Sequence, residues 1–283
     1  MLKTFVARIG GLAALALMCA TGVAARDLRV MTFNVRYPNP DDGPNIWAKR
    51  RDLFVRTIRL ADPDVIGTQE LFQSQGTDVV RALPRYRWFG RDRFGGHGSE
   101  HMGIFYRTDR LRLVRQGDFW LSETPAESGS MGWGAALPRM VNWGIFQTRG
   151  PGSYRFLLMD THFANRDAED EQARRRSADL IARRLPALAQ GLPIVLTGDF
   201  NAIPDSEAHR RLAMILTDVW QNAPDKQGPA GTFHDFSGTP GSMIDYIMVR
   251  GFRPIRAAVL TTHDGARYPS DHFPIVATLR HTR

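Results

Sequence analysis

The strongest constraint on this chain is a repeated local pattern: a short apolar run that stops on a polar residue able to do chemistry. Val30-Met31-Thr32-Phe33 stops at Asn34, and Val65-Ile66-Gly67-Thr68-Gln69 stops at Glu70. Leu157-Leu158-Met159-Asp160-Thr161 stops at His162. Ile194-Val195-Leu196-Thr197-Gly198 stops at Asp199, with Asn201 two residues on. Runs of this length, bounded by Gly, Pro, Asp or Asn, read as buried strands. Strand ends on one edge of a sheet converge, and ligands of open α/β sheets bind there.

The strand reading covers residues 28–33, 65–68, 103–106, 156–159, 194–196, 244–249 and 274–279. Between some of them the apolar spacing turns helical. Residues 47–60 repeat through Trp47, Phe54 and Ile58, and residues 173–188 repeat through Ala173, Leu180, Ile181 and Leu188 with arginines opposite. Asp205-Ser206 before Glu207 opens a third, short helix. Strands mixed with helices along one uninterrupted length imply an α/β domain. Two connections are short enough for hairpins, 107–110 and 149–153, so part of the sheet is expected to be antiparallel. No linker interrupts 26–283, which is read as one domain.

Residues 1–25 stand apart from the fold. Lys3 and Arg8 give a positive start, and residues 9–20 are apolar or small except Cys19. Val23-Ala24-Ala25 places small residues where a leader peptidase cuts. This is the layout of a secretory signal peptide, with a secreted or periplasmic product. An uncleaved anchor is the alternative, but the apolar stretch falls short of the roughly 20 residues that span a bilayer. The chain's single cysteine leaves with the leader, so the mature protein has no thiolate for a metal and no disulfide. The formal charge of +8 favours anionic partners, although arginine spread along the chain dilutes that signal.

Two more groups complete the set of chemical residues. Asp245 lies in Ile244-Asp245-Tyr246-Ile247, and Asp271-His272 lies in Ser270-Asp271-His272-Phe273. Each motif alone has a plain structural explanation: a turn for Gly198-Asp199-Phe200-Asn201, a capped loop for Asp271-His272. Asp245 is the hardest to explain away, because a carboxylate in an apolar run is costly to bury without a partner. Together they make chemical sense. Carboxylate and amide oxygens suit a hard cation such as Mg²⁺. Two histidines and a spare carboxylate suit proton transfer near neutrality. A metal with acid–base groups is what hydrolysis of an anionic ester needs.

The ordered series Thr32-Phe33-Asn34, Gly67-Thr68-Gln69-Glu70, Thr161-His162, Gly198-Asp199-Phe200-Asn201, Ile244-Asp245-Tyr246-Ile247 and Ser270-Asp271-His272 resembles the endonuclease/exonuclease/phosphatase superfamily. That group includes deoxyribonuclease I, exonuclease III-type repair enzymes, inositol polyphosphate phosphatases and neutral sphingomyelinases. The resemblance runs from residue 28 to 279. It implies a four-layer α/β/β/α sandwich of two mixed β-sheets, the deoxyribonuclease I-like fold. It further implies that Asn34, Glu70 and Asp271 form the metal side, with Glu70 the principal ligand of Mg²⁺ or Mn²⁺. Asp199 and Asn201 would position or deprotonate the attacking water. Asp245 would hold His272 near the scissile phosphate, and His162 would contact that phosphate.

Two departures matter. Arg36 stands where repair enzymes carry an Asp. Glu100 sits in Ser99-Glu100-His101, where secreted bacterial members often read Gly-Glu-Phe. The resemblance implies that Glu100 bonds His162 and favours its charged form. The aromatics of the 119–143 segment are read as packing under a long loop, with a substrate groove as the alternative. The activity expected is that of an exported, metal-dependent phosphoesterase, with a phosphodiester preferred and a phosphorylated small molecule, sugar, lipid or nucleic acid as substrate. A secreted nuclease is the alternative, and a non-catalytic binding protein on the same fold is disfavoured because every core motif position is kept. The mature chain is expected to be a monomer without a membrane segment.

Overall fold

The computed structural model describes residues 1–2 and 26–282; residues 3–25 of the expected leader, Cys19 among them, lie outside the described residues. In chain order the elements begin β1 (Leu28–Asn34), α1 (Trp47–Ala61), β2 (Val65–Leu71), α2 (Gln73–Ala82), β3 (Tyr86–Phe89) and β4 (His101–Arg107). They continue β5 (Leu111–Trp120), β6 (Met140–Thr148), β7 (Arg155–His162), α3 (Glu171–Ala189), β8 (Ile194–Asp199) and α4 (Glu207–Ala213). They end β9 (Thr217–Asp218), α5 (Val219–Asn222), β10 (Asp225–Gln227), β11 (Asp245–Arg250), β12 (Phe252–Val259) and β13 (Ile275–His281).

The strands form two sheets, ordered β10-β12-β13-β1-β2-β4-β3 and β5-β6-β7-β8-β11-β9. Both are mixed: β1 and β2 pair in parallel, as do β7 and β8, while β1–β13 and β8–β11 are antiparallel. Alternation along β1 shows the layering. Leu28 and Val30 join the core shared with β7 and β8, whereas Met31 and Phe33 join the core under α1. There Phe33 stacks on Phe54 at 4.4 Å, and Trp47 meets Phe54 edge-on. On the far side, Ala178, Ile181 and Leu185 of α3 pack on the second sheet. The result is the four-layer α/β/β/α sandwich that the sequence implied.

Local chemistry sets several boundaries. α1 stops at Asp62, left-handed at φ 44°, whose N–H bonds Ile58 O just before Pro63. Ser206 caps α4 by accepting from His209 N, as the Asp205-Ser206-Glu207 pattern suggested. The hairpin expected at 149–153 is present, joining β6 to β7. The one expected at 107–110 is not: β4 pairs with β2 and β3 in the first sheet, while β5 pairs with β6 in the second. That short link carries the chain from one sheet to the other.

The two sheets meet tightly at Gly67. A Cβ there would lie 2.0 Å from Thr197 Oγ1 and 2.3 Å from Asp160 Oδ1, so only glycine fits. The space it leaves holds a buried polar seam. Gln69 Nε2 and Thr197 Oγ1 each donate to Asp160 Oδ1 at 2.7 Å, and burial pushes the Asp160 carboxyl well above the usual carboxylate range.

Candidate active site

The seam opens onto the polar strand ends. Asn34 ends β1, His162 ends β7, Asp199 ends β8, and Asp245 begins β11 opposite Asp199. Glu70 needs a local irregularity. Regular alternation would send it to the helical side with Ile66. A register shift between Thr68 and Leu71, with φ 60° at Glu70, turns it towards Asn34 instead. Arg36 (φ 59°) and Asn201 (φ 46°) are also left-handed, so three residues of this one region hold a backbone shape that side chains normally avoid.

Asn34 ties the two sheets together. Its Nδ2 donates to Glu70 Oε1 at 3.1 Å and to Asp199 Oδ2 at 3.0 Å, while its Oδ1 accepts Arg36 N. Asn34 thus braces the two carboxylates, with its oxygen turned to backbone. Tyr37 N holds the other Glu70 oxygen. Asn201 N donates to Asp199 Oδ1 at 2.9 Å. Arg50 closes the loops from beneath. Fully buried three residues after Trp47 on the apolar face of α1, it donates to the carbonyls of Asn45, Val35, Arg36 and Pro269. It thereby joins the loop after Asn34 to the loop before Asp271.

His272 and Asp245 form a buried pair, Nδ1 to Oδ2 at 2.8 Å. Burial opposes charge on the ring, but Asp245, Asp199 and Asp271 outweigh it and hold His272 well above the usual histidine range. His162 is equally buried and goes the other way. Burial first, then the charges of Arg139 and Arg93, push it well below the usual range. Its Nε2 lies 3.5 Å from Asp199 Oδ2, and its Nδ1 has no partner among the described residues. The Asp199 carboxyl is raised by burial and by Asp245. Asp271 is raised by burial and by Glu70, against the pull of His272 and Arg36.

Eight of the nine expected residues therefore share one region: Asn34, Glu70, His162, Asp199, Asn201, Asp245, Asp271 and His272. Glu70, His162, Asp199 and His272 line a cavity of about 490 Å³ together with Arg36 and Asn165. Glu100 is the exception. It ion-pairs with Arg93, whose backbone N bonds Glu100 O, and it does not bond His162. The arginine beside it outcompetes a more distant ring, so the expected imidazolium at His162 is corrected to a neutral ring. The 119–143 aromatics pack as expected: Phe119, Trp120 and Trp143 are buried, and Trp120 Nε1 donates to Arg93 O. Arg50, Arg93, Arg139 and Asn165 were not singled out from sequence, and Arg36 was noted only as a departure from the repair-enzyme pattern. Only Arg50 leaves a trace there, as a charge on an apolar helical face.

The donor set fits a divalent cation. Asp271 is near enough to Glu70 to be raised by its charge, and such a repulsive pair is relieved by a cation. Asp199, Asp245 and His272 also converge, with ligand atoms within 4.8 Å of one another, a buried group that could hold a metal ion.

Two facing mixed sheets with carboxylates and histidines at their strand ends define a hydrolase-like scaffold. The profile of the Endonuclease/Exonuclease/phosphatase family matches residues 31–272, and the chain belongs to that family of metal-dependent phosphoester hydrolases. The chain is similar to an endonuclease/exonuclease/phosphatase family protein from Bacteroides thetaiotaomicron, 36% identical with a TM-score of 0.84, covering 89% of this chain and 94% of that one. It is likewise similar to the mannosyl-6-phosphatase of Bacteroides thetaiotaomicron, 36% identical with a TM-score of 0.83, covering 89% and 99%. An uncharacterised protein of Acanthamoeba polyphaga mimivirus is 27% identical over 163 residues, 55% of this chain and 59% of that relative's length. Among the described residues, no helix is long and apolar enough to cross a membrane.

Proposed function

We propose that this chain is an exported, Mg²⁺-dependent phosphoesterase that cleaves its substrate by direct attack of water, with Mn²⁺ able to replace Mg²⁺. Glu70 and Asp271 hold the cation, with Asn34 bracing Glu70. A cation held there would supply charge neutralisation where negative charge develops. Asp199 orients the water and takes its proton as the new P–O bond forms and the ester P–O bond breaks. Its raised carboxyl is the better base for that step. Asn201 fixes the carboxylate through its N–H. His272, charged and pinned by Asp245, stabilises negative charge growing on the phosphate. His162, neutral, offers a hydrogen bond to a non-bridging oxygen.

The observation that carries this reading is Asn34 Nδ2 bridging Glu70 and Asp199, two carboxylates that line one cavity and to which this reading gives the metal side and the water side. The mannosyl-6-phosphatase resemblance supports a small phosphorylated substrate, such as a sugar phosphate. The test is an assay of purified residues 26–283 with Mg²⁺ on DNA, RNA, sphingomyelin, inositol and sugar phosphates, and aryl mono- and diesters. Hydrolysis that stops with chelator and returns with Mg²⁺ is expected; full activity in excess chelator after dialysis would remove the metal role. Export rests on the leader-like residues 1–25. Fused to a reporter enzyme that works only outside the cytoplasm, they are expected to give activity, and a silent reporter overturns export.

A further inference from the structure

We propose that a cavity on the outer face of the first sheet, at the end of β1 away from the catalytic cleft, is a second binding site that takes a small carboxylate with an apolar body. The site is independent of the phosphoesterase reading.

Strand register builds it. Arg29 of β1 stands against Thr278 of β13, and Thr278 against Arg256 of β12, so the three form one row across neighbouring strands. Two residues further along β1, Met31, Val276 and Ala258 form the next row on the same face. That row joins the core under α1. The Arg29 row lies one step beyond it, where α1 ends in Leu60 and Ala61. A cavity of about 310 Å³ remains there, lined by Arg29, Thr278, Arg256, Leu60, Ala258 and Leu260 among others. Such a volume suits a small molecule. Asn34 stands at the other end of the same strand, about 17 Å away at strand spacing, so this cavity is separate from the cleft.

The charge in the cavity is unmatched. Among the described residues that line it, none is a carboxylate. The backbone N of Arg29 donates to Asp64 Oδ2 at 2.8 Å, but its side-chain Nε is buried without a partner. Arg256 pairs with Asp225 at 3.2 Å, with both side chains about half exposed, so water screens the pair. Two guanidiniums in one row, about 10 Å apart by strand spacing, repel each other across a threonine hydroxyl. An anion seated over Thr278 relieves both. The fork of a guanidinium matches the two oxygens of a carboxylate, and the threonine hydroxyl is a further donor. The remaining wall is apolar, with Leu60, Ala61, Ala258, Leu260 and Val276. A bare inorganic ion leaves that wall in water, whereas an alkyl or aryl body covers it. Leu60, 73% exposed, gains the most from such cover.

The test is a saturation-transfer NMR titration of the purified protein with hexanoate, its uncharged counterpart hexanamide, and acetate. Hexanoate is expected to bind most tightly, because it alone meets both the guanidinium row and the apolar wall. Arg29→Gln is expected to weaken hexanoate about ten- to a hundredfold, the worth of a charged hydrogen bond, and to leave hexanamide unchanged. Leu60→Ser, at an exposed position of α1, should weaken hexanoate by about fivefold and leave acetate unchanged. No transfer to hexanoate at about 10 mM overturns the site. So does hexanoate bound no more tightly than hexanamide, or bound equally by the parent and Arg29→Gln. The choice of hexanoate over hexanamide is read on the parent alone, so a folding defect in Arg29→Gln does not remove the test.

Discussion

His162 and His272 are both buried in the same cleft, and Asp199 lies 3.5 Å from one ring and 3.8 Å from the other, yet they are driven to opposite charge states. The difference lies in what stands behind each ring. Behind His272 is the Asp245 carboxylate at hydrogen-bond distance. Around His162 are two guanidiniums and no carboxylate at its Nδ1. Burial alone would neutralise both; for His272 the bonded Asp245 carboxylate, with Asp199 and Asp271, reverses it. A site can thus keep a cationic and a neutral imidazole side by side without any difference in exposure.

Breaking the charged half should have the largest effect. His272→Ala and Asp245→Asn are each expected to lower kcat about a thousandfold, and the double variant scarcely further, because the pair acts as a unit. Losses that multiply in the double variant would separate the two residues. Next comes the cation. Glu70→Gln keeps shape but removes charge, so the Mg²⁺ concentration for half-maximal activity should rise by about ten- to a hundredfold; an unchanged Mg²⁺ titration would remove Glu70 from the metal side.

The neutral half should yield smaller changes. His162→Gln removes one hydrogen bond to the phosphate and is expected to lower kcat/KM by about ten- to a hundredfold. Arg139→Gln should move the His162 titration upward, read by NMR of the ring; an unmoved titration would show that Arg139 does not set its charge. The smallest effect concerns stability. A histidine whose folded pKa lies below its unfolded value of 6.5 binds fewer protons in the native state, so its stabilising effect is present above that pH and lost below it. Urea unfolding of the parent should therefore weaken by up to about 1.4 kcal/mol more per pH unit below 6.5 than His162→Gln does. Parallel pH profiles would refute neutral burial.

Much of this was legible in the sequence. All seven apolar runs are strands, and both long helices and the capped short one are present. What failed to show were elements whose reasons lie elsewhere in the chain. β5 is buried only at its ends and otherwise half-buried or exposed, a partly solvated edge strand with no apolar run to mark it. α2 contains Gly76, a poor helix former that is there because a Cβ would lie 2.5 Å from the Trp88 ring. The 107–110 link looked like a hairpin because four polar residues encode a turn but not which sheet the next strand joins. The motif residues converged because each ends a strand. Glu100 went astray because its partner, Arg93, is a loop arginine among 37 basic residues, and no local pattern distinguishes it.

The pairing of β1 with β13 bears on how the molecule comes into being. Leu28 lies against Leu279 and Thr32 against Ile275, so the middle of the first sheet joins segments some 250 residues apart. During synthesis β1 can pair with β2 early, but its other edge stays open until β13 leaves the ribosome. Such a high contact order slows folding and leaves an aggregation-prone edge exposed meanwhile. A ribosome stalled short of residue 275 would hold a chain whose Asn34 and Glu70 are already neighbours in sequence order of pairing, while Asp271 and His272 lack the strand that anchors them. Catalytic competence would then appear only once β13 has been made and has paired, and a holdase that shields β1 would raise the yield more than one acting on any later strand.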